Sequence, residues 1–84
     1  MILAIDPGTT ASGWALLDGG KVQDSGIKPN DVVLSWLRAW HADMGDTLAI
    51  EMIASYGMAV GREVFETCVW IGRFQQAWHT PEAV

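Results

Sequence analysis

Two acids, Asp6 and Glu51, sit in matching local contexts. Asp6 ends the apolar run Ile2-Leu3-Ala4-Ile5, and Glu51 ends the run Thr47-Leu48-Ala49-Ile50. Short apolar runs of this kind form buried strands in α/β sheets. Ligand sites in open α/β sheets lie beyond the carboxyl ends of the strands, where both acids fall. If the two strands are parallel neighbours, about 4.8 Å apart, both side chains reach one cation. Two hard oxygen donors suit Mg²⁺ or Mn²⁺, which keep several waters and bind phosphate oxygens as well. Pro7-Gly8, directly behind Asp6, makes a tight turn and leaves space beside such a cation for a phosphate. The plainer reading is that each acid ends its strand in solvent or caps a turn. Two strands ending in acids at one sheet edge favour a site.

The elements that must position these acids are legible in the spacing. Ile2 to Ile5 reads as a first strand buried on both faces, and Ser12 to Asp18 as a second strand. Asp18-Gly19-Gly20 is a hairpin signal, since tight turns need positive φ. Lys21 to Ile27 is a third, more polar strand suited to an edge. Pro29-Asn30 opens a helix with Asn30 or Asp31 as N-cap. That helix runs to about Met44, with Gly45 as its stop and Val33, Leu37, Trp40 and Met44 on one face. Thr47 to Met52 is a fourth strand. A second helix spans about Ala59 to Trp78, with Val60, Val64, Cys68, Ile71 and Trp78 as its core face. Arg62, Glu66, Arg73 and Gln76 lie opposite, and the last six residues read as a loop. A helix between strands implies a right-handed crossover, so the fourth strand lies parallel to the first. The expectation is one α/β domain over residues 1–84, β-β-β-α-β-α, with strand order 3-2-1-4.

Composition narrows the function. The chain has 84 residues, half of them hydrophobic, and five tryptophans. So small a domain buries a limited fraction of its surface, and some apolar surface is left for a partner. Phe65, Val69 and Gly72 form such a stripe on the polar side of the second helix, which suggests a homodimer through that helix. The net charge of −5 argues against a simple electrostatic nucleic-acid binder, unless the acids hold cations. Cys68, the single cysteine, forms no internal disulfide and fits a reducing compartment. The N-terminal apolar run is too short for a signal peptide or a membrane span, so the expected location is cytoplasmic. His41 and His79 lack the partners a general base needs. Ser12, Ser55 and Tyr56 have no base nearby in sequence, and Gly57 to Gly61 reads as a helix-start loop.

The blocks "ILAIDPGTTASGWALLDGG" and "LAIEMIASYGMAVGREVFETCVWIGRFQQAW" together resemble RuvC-type Holliday junction resolvases, especially phage-type members, within the ribonuclease H-like superfamily. The likeness covers nearly the whole chain. It implies an RNase H-like mixed sheet and a metal-dependent endonuclease that cuts branched DNA with carboxylate-held Mg²⁺ or Mn²⁺. On that resemblance Asp6 is the first-strand catalytic aspartate and Glu51 the fourth-strand glutamate, both metal ligands. Tyr56 would stack on an unpaired base and Arg62 would contact a phosphate; the plain alternative is ordinary loop and surface residues. A two-fold resolvase pairs two active sites, in keeping with a homodimer. The family continues with a fifth strand and an acidic final helix. The sequence given therefore matches its N-terminal portion, a sheet incomplete at the C-terminus with weak or absent activity expected. Glu63 and Glu66 read as solvated surface acids rather than replacement ligands. Two rival readings stand beside this one. The first hairpin also resembles the ATP- or phosphate-binding hairpin of sugar kinases and Hsp70-like ATPases. A non-catalytic dimerising interaction module would keep the fold without the chemistry.

Overall fold

The structure is a computed structural model that describes residues 1–40, 46–52 and 61–78. Its elements are β1 (Ile2–Asp6), β2 (Ala11–Asp18), β3 (Lys21–Pro29), α1 (Asn30–Ala39), β4 (Thr47–Ile50) and α2 (Arg62–Ala77). The strands form one mixed sheet in the order β3-β2-β1-β4. β1 is antiparallel to β2 and parallel to β4, as the crossover argument requires.

Register decides which residues meet. Leu3 pairs with Leu16 and Leu48, and Ile5 pairs with Trp14 and Ile50. Paired residues project from the same side of a sheet. These six form one apolar face, and they pack with Val33, Leu34 and Leu37 of α1 and with Phe74 and Ala77 of α2. Ile2, Ala4 and Asp6 project from the other face. β1 is thus not buried on both faces: Leu3 and Ile5 are covered, while Ile2 is 41% exposed. Both helices serve the same face, so the run of apolar residues in β1 is more hydrophobic than its burial requires.

The β2–β3 hairpin turns through Gly19 and Gly20, at φ 59° and 78°. Both values lie in the left-handed region that glycine adopts without strain. β3 is exposed along its length, as suits an edge. Gly26, paired with Trp14, leaves room for the indole. A Cβ there would stand 3.3 Å from Trp14 Nε1.

Asn30 begins α1 but does not cap it with its side chain; Pro29 holds the N-cap position. The amide is used elsewhere. Its Nδ2 donates to the Gly8 carbonyl at 2.9 Å, and its Oδ1 accepts from Ser12 Oγ at 2.5 Å. Gly8 N–H donates to the same Ser12 oxygen at 3.3 Å, closing a ring of three residues. Asn30 N–H also donates to the Thr10 carbonyl at 2.9 Å. Ser12 and Asn30 are each only 1% exposed. The turn behind β1 is therefore tied to the start of α1 by buried polar groups that satisfy one another.

The helices end and face differently from the sequence pattern. α1 stops at Ala39, not near Met44, because Trp40 turns extended (ψ 121°) and packs beside Trp78, with ring centroids 5.8 Å apart. Met44 and Gly45 lie outside the described residues. On α2 the buried residues are Thr67, Ile71, Phe74 and Ala77. That places the core face one position round from the expected one: Cys68 is exposed and Phe74 is fully buried. Thr67 is accepted inside because its Oγ1 donates to the Glu63 carbonyl at 2.9 Å. Val60 lies outside the described residues.

Asn30→Ala is expected to cost about 2 kcal/mol, since it removes the acceptor of the Ser12 hydroxyl proton and the donor to the Gly8 carbonyl. Urea unfolding of Ser12→Ala, Asn30→Ala and the double variant checks this. The double variant should lose less than the sum of the two single losses, because both break one ring.

Candidate metal centre

β1 and β4 deliver the two acids to one place. Ile5 and Ile50 are partners in the parallel register, so Asp6 and Glu51 follow them side by side at the strand ends. Glu51 N–H donates to the Ile5 carbonyl at 3.0 Å, which carries the ladder one residue past β4. Opposite Asp6 on β2 stands Gly13. A Cβ on Gly13 would lie 3.6 Å from the Asp6 Cβ, so the glycine leaves the flank of the carboxylate open. Behind Asp6, a side chain on Gly8 would collide with the Ala11 carbonyl oxygen, so the turn is fixed as glycine. Asp6 and Glu51 are both exposed and line a shallow concavity of about 610 Å³ together with Ala4, Gly13, Ala15 and Ala49.

The electrostatics report how close the acids are. The Glu51 carboxyl is raised above the ordinary value of 4.5, chiefly by its hydrogen bond with Asp6. Repulsion from the Asp6 charge and a little lost solvation act in the same direction. When protonated, Glu51 can donate its O–H to the Asp6 carboxylate; when both are ionised, the two groups repel. A divalent cation would replace that proton with a larger positive charge, so the donor set fits a hard metal ion.

The chain matches no family model, no curated protein and no solved structure. What the site can do must therefore be read from its own geometry.

Among the described residues there is no group of three or more His, Cys, Asp or Glu side chains able to hold a metal ion. Glu63 comes to the turn after β1, lining a cleft with Pro7, Gly8 and Thr9, without joining Asp6 and Glu51. Arg62 holds Glu66 at 2.8 Å in an exposed i,i+4 pair and does not line the concavity. Phe65 and Val69 are 63% and 54% exposed. Nothing stands within 4 Å of where a Gly72 Cβ would be, so the stripe is open to approach. Tyr56, Ser55, His41 and His79 lie outside the described residues. Sequence reasoning missed Gly13 and the Ser12–Asn30 support of the turn. The only signal for them was small and polar types flanking the acid, which many loops share.

Glu51→Gln is expected to raise the thermal midpoint slightly at neutral pH. Because the folded-state value of Glu51 is raised, its contribution favours folding at low pH and is lost as pH rises through that value. The glutamine keeps a donor to Asp6 and removes the repulsion. The gain should disappear below the ordinary glutamate value of 4.5. Thermal melts across a pH series check it, and a gain that persists undiminished in acid would contradict the pairing.

Proposed function

We propose that the chain is an RNase H-like domain of a metal-dependent endonuclease of the Holliday junction resolvase type, acting on phosphodiesters in branched DNA. The observation that carries this reading is the parallel register that sets Asp6 beside Glu51 at the open ends of β1 and β4. Asp6 and Glu51 would hold Mg²⁺ or Mn²⁺. When bound, the cation supplies Lewis acidity and water activation for phosphodiester hydrolysis. Asp6 and Glu51 together fix its place, Gly13 keeps the flank free for a phosphate, and the Ser12–Asn30 ring holds the turn behind Asp6 in position. With two protein carboxylates the cation would keep most of its waters, so affinity is weak and cleavage slow.

The remaining parts of the reading follow the same resolvase chemistry. Tyr56 and Arg62 would meet DNA beyond the carboxylates. A homodimer through α2, with Phe65, Val69 and Gly72 facing their copies, would set two sites on one junction. The free thiol of Cys68 suits a reducing, cytoplasmic compartment. No helix among the described residues is long and apolar enough to cross a membrane.

Calorimetric titration with Mn²⁺ should show weak binding to the wild type and little to Asp6→Asn, whose circular dichroism should be unchanged. A synthetic four-way junction should be cut slowly and in preference to linear duplex. Equal Mn²⁺ binding by both proteins would remove the metal site. Sedimentation tests the dimer separately: Val69→Glu should convert a dimer into a monomer, and a monomeric wild type at micromolar concentration would exclude the α2 interface.

A further inference from the structure

The helix-bearing side of the sheet carries a second concavity, opposite the face from which Asp6 and Glu51 project. It has a volume of about 400 Å³ and is lined by Trp14, Trp36 and Trp40, with Leu3, Leu16 and Asp24. The Trp14 and Trp36 rings stand nearly perpendicular, 86° apart, with centroids 5.3 Å apart. All three indoles are only partly buried, so the cleft is not a closed piece of core. Asp24 reaches it from β3, and one of its carboxylate oxygens takes the Ser25 N–H at 2.9 Å. Among the described residues, no basic side chain lines the cleft.

We propose that this cleft is a binding cage for a quaternary or methylated ammonium group on a small molecule. Indole faces carry negative electrostatic potential; Trp14 and Trp36 meet edge to face, and the face area this contact leaves uncovered, with Trp40 beside it, is what the cleft offers a cation. The Asp24 carboxylate adds a full negative charge, and the described lining offers no competing cation. Ligand size and hydration select within the cations. A bare ammonium would give up strongly held water and find one carboxylate in return. A methylated ammonium sheds water at lower cost and matches the apolar walls provided by Leu3, Leu16 and the indoles. An uncharged ligand of the same shape would gain the van der Waals contact alone.

The test uses choline and its neutral isostere, in which tert-butyl replaces trimethylammonium, followed through the indole N–H resonances of the protein. Choline should bind saturably, shifting the signals of Trp14, Trp36 and Trp40 while Trp70 stays in place. It should bind about tenfold more tightly than the isostere, the margin expected of a partly desolvated cation–π contact. Asp24→Asn, an exposed substitution that leaves the core untouched, should weaken choline about threefold and leave the isostere unchanged. Trp36→Ala should abolish binding of both. Equal affinity for choline and the isostere, no saturable response, or full choline affinity in Asp24→Asn would each overturn the cage. Binding to phosphatidylcholine vesicles with no response to free choline would overturn the small-molecule assignment.

Discussion

The register between β1 and β4 is the constraint on which the rest depends. With Ile5 opposite Ile50, the alternation of the two strands places Leu3, Ile5, Leu48 and Ile50 on the helix side. The same alternation sends Asp6 and Glu51 out together on the other side. A one-residue slip would exchange the faces of β4, turning Glu51 toward the helices and Leu48 and Ile50 toward water. The core and the carboxylate pair are therefore fixed by one choice. Burial of Leu3 and Ile5, with Leu48 and Ile50 packed partly buried against the same core, enforces a register that two exposed, mutually repelling acids would not select for themselves.

Support for the site comes from polar groups placed where hydrophobic contacts cannot reach. The turn from β1 to β2 passes over the start of α1, and the Gly8–Ser12–Asn30 ring joins them. Buried amide and hydroxyl groups stabilise only when mutually satisfied, and here each is. Rigidity behind Asp6 leaves Glu51 as the more adjustable partner, reaching across from the end of the short edge strand.

Strands were the more legible part of the fold, and the reason is physical. Ile2–Ile5, Ser12–Asp18 and Thr47–Ile50 are strongly β-type runs bounded by Gly, Pro or Asp, and the order of elements restricts how they pair. Asp6 and Glu51 were legible because an acid terminating an apolar run is conspicuous. Helix faces were less so. On α2 apolar residues occur almost all round, at Val64, Phe65, Cys68, Val69, Trp70, Ile71 and Phe74, and periodicity alone does not choose among overlapping stripes. Contact with α1 chose the one containing Phe74, and Thr67 entered it by bonding back to its own helix. Asn30 or Asp31 was read as the cap because that is a common local role of both residue types. The partners of Asn30, Gly8 and Ser12, lie far away in sequence, and local reasoning has no access to them.

The sheet also divides sharply by sequence separation. β2 and β3 are joined by a two-residue turn and can pair with little loss of chain entropy, whereas β1 and β4 are partners across more than half of the chain. Closing that long loop carries the larger entropic cost, and distant pairings of this kind slow folding in proportion to their reach. The carboxylate pair does not exist in the hairpin alone; it is created when β4 docks. A cation that binds only the docked arrangement draws the folding equilibrium toward it by mass action. On the proposed metal reading, affinity for the cation and docking of β4 are for this reason one thermodynamic quantity seen from two sides.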